Sequence, residues 1–186
     1  MALAKSLKTQ IIVLGGALGV LWLVFALNTL DGGGLMGYGI VPRTELGLRG
    51  IVFAPFLHAN RAHLAANSVP FLILGWLVML RNARHFWAVT VAAMLGSGVV
   101  AWTIGAPDTV HIGASGVIFG YLGFLMLSGW FARRFWSIAL SLAVTLLRGG
   151  LVLGVMPGQP GVSWQAHLGG FAGGVIAARQ FRSTSR

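Results

Sequence analysis

Apolar residues gather into six long stretches separated by polar or Gly/Pro-rich breaks: Thr9 to Leu30, Ala62 to Leu80, Phe86 to Ile104, Ser115 to Phe131, Phe135 to Met156, and Trp164 to Phe181. Stretches of about 20 apolar residues match the hydrocarbon core of a bilayer when helical. The pattern therefore predicts an all-α membrane protein, six transmembrane helices packed as one bundle. The first stretch follows Lys5 and Lys8, as the apolar part of a secretory leader would. It is too long for one, and no convincing small-residue cleavage site follows, so it reads as a retained anchor. Residues 1–8 and 183–186 are then short tails of a single domain spanning 1–186. No tandem repeat or low-complexity segment is visible.

Composition agrees with the pattern. Of 186 residues, 56% are hydrophobic and 9% charged, where a soluble domain is nearer a quarter charged. The net charge of +10 sorts by position rather than pointing to nucleic acid. If the spans alternate, Lys5, Lys8, Arg81, Arg84, Arg133, Arg134, Arg179, Arg182 and Arg186 share one side. Asp31, Glu45 and Asp108 fall on the other with Arg43, Arg49 and Arg61. By the positive-inside rule both termini are cytoplasmic, and without a basic soluble domain no nucleic-acid partner is expected. Arg148 is the exception, inside the fifth stretch near its outer end; outward snorkelling and a gating or substrate role both stay open. Cysteine is absent, which excludes disulfides, thiol catalysis and thiolate metal sites. The first outer connection, "DGGGLMGYGIVPRTELGLRGIVFAPFLHAN", carries Ile51, Val52, Phe53, Phe56 and Leu57 close together. That is too apolar for a solvated loop, and it is expected to lie partly in the membrane interface.

Three polar groups interrupt the apolar stretches, all toward the outer side. In "HANRAHLAAN", His63 and Asn67 are four apart and share a helix face, with His58 just before the helix. Ser115 opens the fourth stretch within "HIGASGVIFG", flanked by Gly113 and Gly116, and His167 lies one turn into the sixth. A hydroxyl among apolar residues needs a partner. Each polar residue alone could simply bridge neighbouring helices, but several at one depth suggest a single buried site. Gly116 and Gly120, and Gly170 and Gly174, form small-residue faces beside Ser115 and His167. Such faces let backbones approach closely, and the approach would bring Ser115 within hydrogen-bond reach of the His167 ring, as activation of a nucleophile requires.

Residue types remove the rival chemistries. No H-E-x-x-H pattern exists for a helical zinc protease. All three acidic residues fall in outer connections, leaving no membrane carboxylate pair for an aspartyl protease. Val117 occupies the last position of what would be the G-x-S-x-G elbow of soluble hydrolases. A Ser-His dyad remains, in which some group other than a carboxylate must orient His167. A small transporter would need a midplane carboxylate site, which is missing. No metal or cofactor site is expected.

The sequence resembles the rhomboid intramembrane serine proteases from about Tyr38 to Arg179, in "GASG" around Ser115, "AHLGGFAGG" around His167 and the His-His-Asn spacing of "HANRAHLAAN". The resemblance implies the minimal six-helix bacterial form, embedded in the cytoplasmic membrane with its active site opening to the outer face. By position, Ser115 resembles the nucleophile and His167 the general base. His63, Asn67 and the Ser115 backbone N–H resemble the oxyanion donors, and His58 the family's additional histidine, bonding or holding water near the site. An imidazole and an amide one turn apart also suit a developing oxyanion on physical grounds. Two positions depart from the family pattern: "LRGIV" stands in place of a Trp-Arg pair, and Phe119 in place of a tyrosine beneath the catalytic histidine, where an aromatic ring can still stack. The implied substrates are single-span membrane proteins entering sideways from the lipid, with water reaching a cavity open to the outer side. The fifth stretch and "MPGQPGVSW", across 157–163, suit a mobile gate and cap, with a plain loop the open alternative. A rhomboid-like pseudoprotease that binds clients without cutting them is the alternative function.

Overall fold

The first apolar run folds as part of one 29-residue helix, α1 (Ala2–Leu30), which begins before Lys5 and Lys8. The structure is a computed structural model and describes residues 2–81, 83–133, 135–148, 153–159 and 161–181. Leu14 and Leu21 of α1 are buried against the rest of the protein, whereas Ile11, Ile12 and Leu23 are exposed. Two indole N–H groups fasten this helix sideways, the Trp22 indole donating to Ser68 Oγ at 3.2 Å and that of Trp76 to Gln10 Oε1 at 3.0 Å. Such bonds give a polar tip a partner where the surroundings are apolar.

The first connection is built of short turns. A 3-10 turn at Gly34–Tyr38 leads to α2 (Glu45–Leu48) and α3 (Gly50–Phe53), then a 3-10 turn at Ala54–Phe56. Thr44 caps α2, its hydroxyl accepting from the Gly47 N–H at 3.0 Å. Leu46, Val52 and Phe53 remain exposed.

Four longer helices follow the expected stretches: α4 (Arg61–Arg81), α5 (Ala83–Ile104), α6 (Ser115–Ala132) and, at the C-terminal side, α8 (Trp164–Gln180). Between α6 and α8 runs α7 (Phe135–Arg148). Its described part ends at Arg148, and residues 153–155 make a 3-10 turn. Residues 149–152 and the Arg148 side chain lie outside what is described, so the two readings of Arg148 have no structural counterpart here. Among the described residues four helices, α1, α4, α5 and α6, are long and apolar enough to cross a membrane.

Helix α6 is the axis of the molecule. Apolar on all sides, it is buried on all sides, with Tyr121, Leu122, Phe124 and Leu125 sealed among α4, α5, α7 and α8. Its closest neighbour is α8. A methyl group at Gly170 would strike the Gly116 carbonyl, and one at Gly174 the Gly120 carbonyl. On the other flank of α8, Gly169 and Gly173 stand equally close to the backbone of α5 at Gly96 and Ala92. These glycines permit near backbone contact between three helices, and that contact fixes the depth of the residues at their ends.

Candidate active site

The N-termini of α4, α6 and α8 meet at one end of the bundle. Asn60 caps α4, its side chain accepting from the His63 N–H at 2.8 Å. Ser163 caps α8, accepting from the Ala166 N–H at 3.3 Å. The turn into α6 uses Gly113 at φ +112, a conformation L residues rarely adopt. A side chain there would also run into the His63 ring, 2.9 Å away. The positive ends of three helix dipoles thus face the same place, which favours negative charge there.

At this junction Ser115 Oγ lies 2.8 Å from His167 Nε2. His167 Nδ1 lies 2.9 Å from the Gly154 carbonyl. A carbonyl can only accept, so in the neutral ring Nδ1 carries the proton and Nε2 is left to accept from the Ser115 hydroxyl. Phe119 packs flat on the imidazole, centroids 4.0 Å apart and planes 9° from parallel. The histidine is therefore held by a backbone carbonyl, an aromatic face and the serine. The group other than a carboxylate that orients it is the Gly154 carbonyl.

Asn67 and His63 flank the serine. The Asn67 side-chain nitrogen is buried and has no hydrogen-bond partner among the described residues, an arrangement that leaves a donor aimed at nothing. The Ser115 N–H, in the first residue of α6, has no intrahelical acceptor. His58 is fully buried, its ring 5.1 Å from that of His63. Its Nε2 accepts from the Ala114 N–H at 3.3 Å and so braces the turn before Ser115. Burial, with His63 adding to it, pushes the His58 pKa down to about 4. A cleft of about 670 Å³ opens over these groups, lined by His63, Asn67, His111, Ser115, Ser163 and His167 among others.

Comparison with known proteins decides the family. The rhomboid domain model matches residues 46–183. The chain belongs to the rhomboid family. An uncharacterised protein of Mycobacterium tuberculosis is 46% identical over 168 residues, covering 86% of this chain and 70% of its own length. The RHOMBOID-like protein 4 of Arabidopsis thaliana is 34% identical over 128 residues, 65% of this chain and 31% of its own. The Rhomboid-like protease 5 of Toxoplasma gondii is 30% identical over 158 residues, 81% of this chain and 17% of its own. Family membership together with the long apolar helices makes this an integral membrane protein.

In this rhomboid the first connection, without a Trp-Arg pair, is fastened by other means. Arg43 donates to the Thr103 and Gly105 carbonyls at 3.1 and 2.8 Å, closing the C-terminus of α5. The Trp102 indole donates to the Thr44 carbonyl at 2.9 Å, and the Arg49 guanidinium sits 4.3 Å over the Tyr38 ring. Three residues of the junction were not among the expected site residues: Gly154, His111 and Ser163. The first acts through its carbonyl, for which no side-chain pattern exists. His111, four residues before Ser115, and Ser163, four before His167, do have a signal: both are polar side chains beside a polar residue that opens an apolar run.

Proposed function

We propose that this rhomboid is an active serine intramembrane endopeptidase that cuts transmembrane segments of single-span membrane proteins, using Ser115 as nucleophile and His167 as general base. The observation that carries the reading is the 2.8 Å contact between Ser115 Oγ and His167 Nε2, with Nδ1 tied to Gly154. In this scheme Ser115 gives its proton to Nε2 as Oγ bonds to the scissile carbonyl carbon. The carbonyl oxygen becomes an oxyanion held by Asn67, His63 and the Ser115 N–H. Collapse breaks the C–N bond, His167 passes the proton to the leaving amine, and an acyl-enzyme remains. Water then attacks, giving its proton to His167, and the acid is released with Ser115 restored. No cofactor enters the scheme.

The membrane arrangement is six spans of one domain, with both termini cytoplasmic and the cleft facing the outer aqueous side of a bacterial cytoplasmic membrane. Helix α8 has 17 residues, near the lower end of what crosses the hydrocarbon core. Gly154 and residues 161–163 lie beside the cleft, where irregular chain is tolerated because it borders water. The exposed Leu46, Val52 and Phe53 support an interfacial position for the first connection.

The test is covalent labelling of protein in liposomes with a fluorophosphonate probe, alongside cleavage of a panel of transmembrane substrates. Wild type should label and cleave, and neither Ser115→Ala nor His167→Ala should do either. Labelling at another serine would reassign the nucleophile. A wild type that binds these segments without labelling or cutting would be the client-binding pseudoprotease.

A further inference from the structure

A second serine-histidine contact lies in the same cleft, between residues four positions before Ser115 and four before His167. His111 Nδ1 is 2.6 Å from Ser163 Oγ, and His111 Nε2 is 3.1 Å from Thr109 Oγ1. The protons in this chain can be assigned. The Thr109 hydroxyl donates to the Ala106 carbonyl at 2.6 Å, so its oxygen accepts from His111 Nε2–H. In the neutral ring Nδ1 is then the acceptor, and the Ser163 hydroxyl donates to it. Ser163 Oγ in turn accepts from the Ala166 N–H of α8. Each hydroxyl in the series donates once and accepts once, and each ring nitrogen makes one bond.

His111 is itself anchored. Its N–H donates to the Ile40 carbonyl at 2.9 Å and its carbonyl accepts from the Ile40 N–H at 3.0 Å. The ring is buried. One residue thereby joins the first connection, the segment leading into α6 and the start of α8. The approach to α8 along the chain is a series of turns: Pro157, Gly158, Pro160 and Gly161 precede Ser163 in sequence, and Gly158 and Gly161 sit at positive φ. The first turn of α8, which carries His167, is fixed from the side.

We propose that His111 and Ser163 are positioning residues: their hydrogen bond sets the N-terminus of α8 so that the His167 ring meets the Ser115 hydroxyl. The inference rests on the protease reading and assigns these residues no contact with the reacting atoms. Loss of the bond should let α8 and its histidine drift, and misplacement of a base by fractions of an ångström is felt in turnover before it is felt in binding.

The test uses full-length protein in liposomes, reading the rate of fluorophosphonate labelling at Ser115 and kcat and KM on one transmembrane substrate, with thermal unfolding alongside. His111→Ala should lower labelling rate and kcat by about tenfold, with KM within about twofold. His111→Asn keeps an acceptor where Nδ1 stood and should recover most of the loss. His111→Gln places its amide at the Nε2 end, toward Thr109, and should not. Ser163→Thr, retaining hydroxyl and cap, should resemble wild type. The double change His111→Ala with Ser163→Ala should be no worse than Ser163→Ala alone, since both remove one bond. Equal activity of the Asn and Gln variants, additive losses, or a His111→Ala protein as fast as wild type would overturn the inference and leave the dyad assignment intact. Probe attachment at Ser163 would overturn it in favour of a second nucleophile. If His111→Ala fails to fold, the contrast of Asn with Gln decides. A wild type that neither labels nor cuts would overturn both readings together.

Discussion

Phe119 and Ser115 stand one turn apart on α6, so a single helix supplies both the hydroxyl facing His167 and the ring stacked against its imidazole at 4.0 Å. Both imidazole nitrogens are engaged, by Gly154 and by Ser115. The phenyl face of Phe119 then supports the ring at the position where the family resemblance implied a tyrosine. An aromatic contact of this kind contributes about 0.5–1.5 kcal/mol, so Phe119→Leu should lower kcat by roughly twofold to tenfold with little change in KM. Gly154→Ala should cost more. Its new methyl would lie 2.8 Å from Phe119 Cζ and 3.2 Å from His167 Nδ1, displacing the stacked ring and the carbonyl anchor at once. Steady-state kinetics on one reconstituted substrate compares the two; a Gly154→Ala protein faster than Phe119→Leu would contradict this account of how His167 is held.

The contact between α6 and α8 gives a stability prediction with an internal control. A methyl group at Gly170 would strike the Gly116 carbonyl, whereas one at Gly15 on α1 meets nothing within 4 Å. Forcing a methyl into a filled contact costs about 1–3 kcal/mol or more, while glycine to alanine in an open helix position gains about 0.5–1 kcal/mol. Gly170→Ala should therefore unfold at a lower temperature than wild type in detergent, and Gly15→Ala at an equal or higher one. Equal melting of the two variants would mean that α8 can move away from α6 at little cost.

These glycines were legible in the sequence because their four-residue spacing marks one helix face next to a polar residue. The starts of α4, α6 and α8 were legible for a similar reason: each apolar run opens at a polar or capping residue, Asn60 before Arg61 and Ser163 before Trp164. Helices α2 and α3 were not, four residues each, too short for any periodicity to register. In the junction, the side chains of Ser115, His167, His63 and Asn67 stood out as polar groups in oily surroundings. The Gly154 carbonyl could not, because every residue has one, and its placement depends on how the chain returns from α7.

Stability should also depend on pH through His58. The ring is fully buried, accepts from the Ala114 N–H, and has its pKa pushed down to about 4. In the unfolded chain a histidine titrates near 6.5. Above pH 6.5 both states are neutral and the stability is complete. Between pH 6.5 and 4 the unfolded chain takes up a proton that the folded protein refuses, so stability falls as pH falls. Thermal unfolding followed from pH 7.5 to 4.5 should show a declining midpoint. His58→Gln, which keeps an acceptor for Ala114 and does not titrate, should give a shallower decline; His111, whose pKa is also lowered by burial, accounts for a remainder. An unchanged slope in His58→Gln would remove His58 from the pH dependence.

The buried, unpartnered Asn67 nitrogen separates a role in catalysis from one in packing. A donor left without an acceptor in the folded protein costs stability, so it is worth keeping only if an acceptor arrives later. The oxyanion of the tetrahedral intermediate is that acceptor in the proposed mechanism. Removing one such donor from a serine protease costs about 10²–10³ in kcat, whereas Ser115→Ala should abolish turnover. Asn67→Ala is therefore expected to remain folded, with a melting temperature equal to or above that of wild type, and to retain measurable cleavage with little change in KM. His63→Ala should be at least as impaired. The double change should cost less than the product of the two, because both donors serve one charge. Ser115 should still react with a fluorophosphonate in each variant, more slowly, since the serine and His167 remain in contact. Steady-state kinetics and thermal unfolding on the same preparations decide the matter: an Asn67→Ala protein that melts well below wild type, or cleaves at its full rate, makes Asn67 a packing residue and moves the oxyanion site elsewhere in the cleft.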